Sequence, residues 1–259
     1  MSPQVLEIST RDSITHVTLN RPEVRNAFNA ELIAELHRAF ERLSNDESLR
    51  AVILSGAGKT FCGGADINWM RASLELSREE NVSDAKQMSD MFTAIDRCSR
   101  PVIARVHGAA LGGGSGLVAV CDVAIAADDA LFGFTETKLG ILPAVISPFV
   151  LRKIGISHAR ALFLTGERFN AERAAHIGLV HEVVRFDDLD TAIDRIVDEI
   201  KTGGRDAIAL AKKTIADVAA HPENSREITS QAIAAQRTSA EGQEGLRAFL
   251  ERRKPNWSA

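Results

Sequence analysis

The sequence predicts an α/β fold, because strand patterns alternate with helical patterns along the first two thirds of the chain. Two predicted strands, residues 51–54 and 102–106, are each followed by a glycine-rich loop. From about residue 151 the pattern is mostly helical. We therefore expect an α/β core over residues 1–195 and a helical region over residues 196–259.

Each element has its own signal in the sequence. Residues 14–19 alternate in the manner of a strand, and Asn29 is placed to cap a helix over residues 30–43. Residues 71–81 are charged and only weakly periodic, so the next long helix is predicted from residue 82 to 98. Further strands are predicted at residues 123–126, 131–134 and 178–184, and further helices after residue 112 and at 158–164, 171–176, 189–201, 205–220, 224–238 and 242–253.

Composition excludes several classes of function. The chain has 259 residues, 31 Lys and Arg against 35 Asp and Glu, and a net charge of −4 without a long basic run, so no nucleic-acid partner is expected. The longest apolar runs are too short to span a bilayer, so no membrane partner is expected. Three cysteines in apolar surroundings and an N-terminus without an export pattern indicate a cytoplasmic protein. Tyrosine is absent, which excludes a tyrosine acid or base.

Two familiar motifs are incomplete, and no metal-site spacing is present. The run at residues 56–60 resembles a nucleotide-binding loop, but Ile53 occupies the position of its first glycine. The run at residues 112–114 is no dinucleotide fingerprint, because Leu117 occupies the last glycine position. No spacing of histidine and cysteine matches a metal site, so neither a metal nor a permanently bound cofactor is expected.

The two glycine loops, residues 61–66 and 111–116, are the strongest indication of chemistry. Each follows a predicted strand, and the second runs into a predicted helix. Backbone N–H groups at the positive end of a helix are unpaired and favour an oxygen that becomes negative during a reaction. Two such loops can direct two N–H donors at one carbonyl oxygen, which polarises that carbonyl. Glycine at 112 and 113 suits close approach of a ligand to the backbone.

The order of motifs along nearly the whole chain resembles the enoyl-CoA hydratase/isomerase (crotonase) superfamily. The matching segments are residues 21–29, 61–67, 108–114, 121–122, 132–136, 139–143, 161–166 and 174–180. The resemblance implies a crotonase-like spiral of ββα turns with a helical C-terminal trimerisation region. It also implies a homotrimer or a dimer of trimers, and a substrate carried as a coenzyme A thioester.

The resemblance also assigns roles to individual residues. Matching positions make the backbone amides of Ala65 and Gly113 the two donors to the thioester carbonyl, and Glu136 the acid/base. The backbone N–H of Ala144 matches a position that can hold the attacking water. The remaining positions that match contacts to substrate or coenzyme A are Arg25, Ala27, Asp66, Ile67 and Gly112, together with Ala65.

Gly116 departs from the family pattern, because hydratases of this kind usually carry a first glutamate at its position. Three readings follow: a hydratase that works with Glu136 alone, a Δ3,Δ2-enoyl-CoA isomerase, or a non-catalytic acyl-CoA-binding protein. The segments at residues 65–70 and 143–149 resemble bacterial methylglutaconyl-CoA hydratases and favour the first reading, with a branched or glutaconyl-type substrate such as 3-methylglutaconyl-CoA. Lys138, Arg71 and His107 are candidate partners for its distal carboxylate. A glutamate introduced at residue 116 would be expected to raise hydration of crotonyl-CoA.

Overall fold

The computed structural model describes residues 4–258. The expectation that the N-terminus carries no export signal falls mainly on residues 1–3, which lie outside this range. The strands are β1 (Leu6–Arg11), β2 (Ile14–Leu19), β3 (Ala51–Gly56), β4 (Val102–Val106), β5 (Ala109–Leu111), β6 (Val123–Ala127), β7 (Leu131–Gly133), β8 (Arg168–Asn170) and β9 (Glu182–Val184). The helices are α1 (Ala30–Ser44), α2 (Ile67–Ser73), α3 (Arg78–Asp96), α4 (Gly113–Val120), α5 (Ser147–Thr165), α6 (Ala171–His176), α7 (Leu189–Thr202), α8 (Arg205–Ala220), α9 (Ser225–Thr238) and α10 (Ala240–Leu250).

The predicted α/β fold is confirmed. One sheet has the order β1-β2-β3-β4-β6-β9, and β5-β7-β8 form a smaller sheet. In the larger sheet only β1 and β2 are antiparallel among the described strands, so the other strands need crossovers, which helices such as α1, α3 and α4 supply. Successive residues of a strand face opposite sides of a sheet. Val52 and Leu54 of β3 therefore pack into the core with α1, α3 and α4, while Ala51 and Ile53 pack against α7.

The helix that precedes the second glycine loop begins earlier than the sequence analysis predicts. Helix α3 starts at Arg78 rather than residue 82, because Ser77 accepts a hydrogen bond from Glu80 N–H and Glu80 accepts one from Ser77 N–H. This reciprocal capping satisfies two donors that a helix start leaves unpaired. Helix α2 covers residues 71–73 of the charged, weakly periodic stretch. The predicted helix start at residue 82 was therefore wrong, and the Ser-x-x-Glu signal was overlooked.

The helical C-terminal region begins later than residue 196. Helix α7 crosses that position as one continuous helix, and its buried residues pack on the sheet from Leu189 to Val197. The guanidinium of Arg50 donates to the carbonyl oxygens of Ile200 and Lys201 at 3.1 and 2.8 Å, and so fixes the end of α7. Helices α8 to α10 follow. Within residues 4–258, no helix combines the length and the apolar character needed to cross a membrane.

Candidate active site

The smaller sheet aligns three segments that carry predicted site residues. Strand β5 is parallel to β7, with Leu111 opposite Gly133, and Cys62 of the first glycine loop forms a parallel bridge with Ala110 on the other side. The bridge is made by two backbone hydrogen bonds of 3.0 Å, from Cys62 N to Ala109 O and from Leu111 N to Cys62 O. All three segments leave this ladder in the same direction. Ala65, Gly113 and Glu136 lie just beyond it, which brings the predicted site residues to one edge.

The second glycine loop ends at the start of α4, where Gly113 is the first residue. Ser115 fixes this start, because its hydroxyl donates to Ala110 O at 2.6 Å and accepts from Gly133 N at 3.3 Å. The Gly112 N–H donates to Gly133 O at 2.8 Å. Among the residues that the structure describes, no acceptor faces the Gly113 N–H. That amide is therefore a free donor at the positive end of a helix.

Ala65 is held by its neighbours rather than by its own amide. Phe28 N donates to Gly64 O at 2.7 Å, and Asp66 N donates to Phe28 O at 2.8 Å. In a parallel bridge these flanking bonds leave the N–H of the central residue directed away from the partner strand. Within residues 4–258, the Ala65 N–H has no acceptor. Gly64 has a φ of +98°, and a Cβ there would lie 3.0 Å from Leu111 O, so a glycine is needed where the two loops meet.

Glu136 opens a short 3-10 helix, Glu136–Leu139, and its carboxyl lies against the second glycine loop. A Cβ on Gly112 would stand only 3.1 Å from Glu136 Oε1, which shows how closely the carboxyl approaches that backbone. Burial raises the pKa of Glu136 above its ordinary value of 4.5. Its Oε2 is buried without a hydrogen-bond partner in the described part of the chain. A buried, unpaired carboxyl oxygen against the glycine loop that carries the free Gly113 amide is an arrangement suited to proton transfer.

Gly116 faces an apolar wall that has no room for a side chain. A Cβ at this position would lie 2.4 Å from Ile146 Cγ2 and 3.2 Å from Phe92 Cζ. Both of these residues are buried. The expectation that a glutamate at residue 116 would raise hydration of crotonyl-CoA therefore needs correction, because Ile146 occupies the space that its side chain would need.

The prediction for Ala144 also needs correction. Its N–H donates to Leu142 O at 2.8 Å, inside the turn that precedes α5. An amide committed to that turn is not a free donor for a water molecule. The sequence could not reveal this, because the turn depends on the local backbone path of residues 142–147.

The residues predicted to contact coenzyme A fall into two groups. Arg25 and Ile67 are exposed and flank the first glycine loop, where Gly63 N donates to Arg25 O at 2.8 Å. Ala27 and Asp66 are buried. Burial by itself raises the pKa of Asp66, but hydrogen bonds from Arg21 and from the Asn68 backbone outweigh it and hold that pKa below its usual range. Asp66 is thus an ionised, buried group with its bonds already made.

The three candidate partners for a distal carboxylate differ in their surroundings. Arg71 and Lys138 are exposed. His107 is 4% exposed, its Nε2 lies 3.0 Å from Gly58 O, and burial lowers its pKa. A neutral imidazole bound to a backbone carbonyl is a poor partner for an anion, so the geometry favours the other two residues over His107.

Two contributors to the site were missed by the sequence analysis as functional residues. Ser115 is a lone hydroxyl in the apolar helix α4, which was a readable signal. Arg21 was noted only as part of a motif, yet its guanidinium binds Asp66, 45 residues further along the chain. Nothing in the sequence indicates that pairing.

Comparison with known proteins identifies the family to which the chain belongs. The sequence model of the enoyl-CoA hydratase/isomerase family matches residues 9–259, and the chain belongs to that family of enzymes. The fold is the crotonase fold. A crystal structure of an enoyl-CoA hydratase from Shewanella pealeana is 36% identical, with a TM-score of 0.94 and coverage of 98% of this chain and 96% of that one.

Other relatives refine the comparison. AtuE of Pseudomonas aeruginosa is 35% identical over 98% of this chain and 100% of its own, with a TM-score of 0.94. A putative enoyl-CoA hydratase of Thermus thermophilus is 31% identical over 93% of this chain and 96% of that protein. Mevalonyl-coenzyme A hydratase sidH of Aspergillus fumigatus is 32% identical over 93% of this chain and 90% of that protein.

Proposed function

We propose that this protein is an enoyl-CoA hydratase that adds water across the 2,3 double bond of a coenzyme A thioester. The single observation that carries the proposal is the half-buried carboxyl of Glu136 against Gly112, next to the free amide of Gly113. The names of relatives support the same reaction, since several are enoyl-CoA hydratases. The amides of Ala65 and Gly113 are assigned to the thioester oxygen, and Arg25, Ala27, Asp66, Ile67 and Gly112 to the surrounding wall.

In this reaction the oxygen of water bonds to C3 of the substrate and a proton is added at C2. Negative charge develops on the thioester oxygen as C3 is attacked, and two N–H donors stabilise it more in the transition state than in the bound substrate. Each such donor contributes on the order of 3–4 kcal/mol in enzymes of this type. Glu136 takes the proton from water and returns one to C2, so one carboxylate closes the proton balance.

For the acyl group, we propose a branched or glutaconyl-type substrate, such as 3-methylglutaconyl-CoA. The wall that Ile146 and Phe92 form at Gly116 is apolar and suits hydrocarbon. The mevalonyl group named for the Aspergillus relative is branched at C3, which is consistent with this class. Arg71 and Lys138 remain the proposed partners of a distal carboxylate because both are exposed cations beside the site elements.

A Δ3,Δ2-enoyl-CoA isomerase is the second candidate, and the closed wall at Gly116 is the observation that favours it. One base suffices to take a proton from C2 and return it at C4, and no second carboxylate fits at residue 116. Incubation with 2-enoyl-CoA and with 3-enoyl-CoA separates the two candidates. A hydratase consumes the 2-enoyl substrate, and its product contains 18O from labelled water. An isomerase converts the 3-enoyl substrate to a product that contains no label. Binding of both without turnover would indicate an acyl-CoA-binding protein.

Replacing Glu136 with glutamine tests the assignment of the acid/base. Loss of general acid–base catalysis predicts a decrease in kcat of about 10²–10⁴-fold, with little change in the affinity for butyryl-CoA, an unreactive saturated thioester. Glu41→Gln is a matched control, because Glu41 is an exposed carboxylate on α1. Near-normal turnover by Glu136→Gln would refute the assignment. Hydration rates for crotonyl-CoA, branched and dicarboxylic enoyl-CoA thioesters then identify the acyl group.

For assembly and location, we propose a cytoplasmic homotrimer or dimer of trimers. Apolar side chains on α8, α9 and α10 are well exposed in the single chain, Ile215 at 72% and Phe249 at 80% among them. Large apolar side chains exposed on three successive helices favour contact with another subunit. The three cysteines are free and buried, which supports a reducing compartment. Sedimentation velocity of the purified protein tests the assembly.

A further inference from the structure

The side chain of Arg21 lies beneath the first glycine loop and joins two of its supports. Its Nη2 donates to Asp66 Oδ2 at 2.8 Å, and its Nη1 donates to the carbonyl oxygen of Ala27. The side chains of Arg21 and Asp66 are only 14% and 7% exposed. The pair is therefore a buried, charge-assisted contact, and removal of one partner leaves the other charge without compensation.

Asp66 immediately follows Ala65, whose amide the proposed function uses. Its backbone N–H donates to Phe28 O at 2.8 Å, and its Oδ1 accepts from Asn68 N at 2.8 Å, which caps α2. Its remaining carboxyl oxygen is the one that Arg21 holds. Asp66 is thus fixed by bonds to three different parts of the chain. These bonds fix the peptide that joins Ala65 to Asp66. The Ala65 N–H belongs to the preceding peptide, whose carbonyl, Gly64 O, accepts from Phe28 N at 2.7 Å. Phe28 N in turn shares its peptide with Ala27 O, the carbonyl oxygen that Arg21 holds.

The turn that contains Arg21 is itself attached to the segment that leads into the first glycine loop. Arg21 N donates to Asn26 Oδ1 at 2.9 Å, and Asn26 Nδ2 donates to the carbonyl oxygens of Ala57 and Thr60 at 2.9 and 2.7 Å. Asn26 is fully buried and has a φ of +55°. The same segment continues to Phe28, which holds the residues on both sides of Ala65. Arg21 therefore connects the turn, the loop and the cap of α2.

We propose that Arg21 is a positioning residue for catalysis: by holding Asp66 and Ala27, it directs the Ala65 N–H at the thioester oxygen. The inference rests on the proposed function, which assigns that amide to the thioester carbonyl. A donor that is slightly misdirected loses more of its interaction with the charged transition state than with the neutral ground state. Loss of Arg21 should therefore lower kcat while KM changes little.

Arg21→Met and Arg21→Lys test this role, with Lys212→Met as the matched control. Lys212 forms a comparable pair with Asp122, at 2.6 Å and with side chains 16% and 30% exposed, but beyond the opposite end of α4 from Gly113. A misplaced group in an active site can cost about 10²-fold, so we expect kcat of Arg21→Met to decrease by about 10–100-fold. Arg21→Lys keeps the positive charge but lacks the planar guanidinium that binds two acceptors at once, so its kcat should lie between those of wild type and Arg21→Met. Should Arg21→Met fail to fold, Arg21→Lys decides the question.

The infrared band of a 13C-labelled thioester carbonyl in bound butyryl-CoA provides the second readout. A polarised carbonyl absorbs at lower frequency than the free thioester, so the Arg21 variants should move the band back toward the free position. Lys212→Met is expected to melt at a lower temperature while keeping both kcat and the band. The inference is overturned if the Arg21 variants behave like that control. If the wild-type band itself is not displaced, the proposed function fails and not only the role of Arg21.

Discussion

Replacement of Gly116 with alanine tests how tightly the apolar wall of the site is packed. A Cβ there would lie 2.4 Å from Ile146 Cγ2 and 3.2 Å from Phe92 Cζ. Overpacking of a core costs about 1–3 kcal/mol, while alanine gains about 1 kcal/mol over glycine inside a helix. We expect a net loss of up to about 2 kcal/mol in the free energy of unfolding, which lowers Tm by about 2–4 °C per kcal/mol for a chain of this size.

A second substitution makes this prediction specific to Ile146. Ile146→Ala removes Cγ2 and should cost about 2–5 kcal/mol by leaving a cavity. In the double variant, the alanine methyl at residue 116 occupies part of that cavity, so the combined loss should fall short of the sum by about 0.5–3 kcal/mol. Urea unfolding of the four proteins, followed by circular dichroism, measures the coupling. Strictly additive losses, or a stable Gly116→Glu variant with increased hydration of crotonyl-CoA, would refute the reasoning.

Two further substitutions separate function from stability. Burial raises the pKa of Glu136, so its contribution to stability is present below the unfolded value of 4.5 and is lost as the pH rises through the folded value. Glu136→Gln should therefore melt at a higher temperature than wild type at pH 8, and the difference should be absent below pH 4.5. Equal melting temperatures at pH 8 would contradict this. Ser77→Ala removes the capping box of α3 and should cost about 1 kcal/mol, which lowers Tm by about 2–4 °C and leaves kcat unchanged. Ser83→Ala, at an exposed position of the same helix, is the control. An equal Tm for the two variants would show that the cap does not stabilise the helix.

The sequence was most informative where a structural property depends on neighbouring residues. Helix α1 and its cap at Asn29 were predicted nearly to the residue, because helical spacing and capping are local patterns. Strand β1 was missed because only Leu6 and Ile8 alternate with polar residues in it, which is a weak signal; five of its six residues are exposed. It forms only by pairing with β2 through the hairpin at Asp12 and Ser13, both of which have positive φ.

The site shows the same division between local and distant information. The glycine loops were readable because consecutive glycines follow apolar strands, but their alignment depends on the bridge between Cys62 and Ala110, which are far apart in sequence. The closed wall at Gly116 depends on Ile146, the residue just before α5 begins, 30 residues further along the chain. Such contacts are set by tertiary packing and produce no periodic pattern in the sequence. The individual amides and the acid/base were therefore predicted from the family resemblance, and not from local pattern.

In the proposed reaction, the packing around Glu136 and Gly116 has linked consequences. The side chains of Ile146 and Phe92 leave no space for a second carboxylate, so Glu136 must both accept a proton and return it. A group with that double task works best when its pKa lies near the working pH, and burial raises the pKa of Glu136 in that direction. The same burial destabilises the ionised carboxylate in the folded protein. Higher stability of Glu136→Gln together with its loss of turnover would therefore be two results of one arrangement.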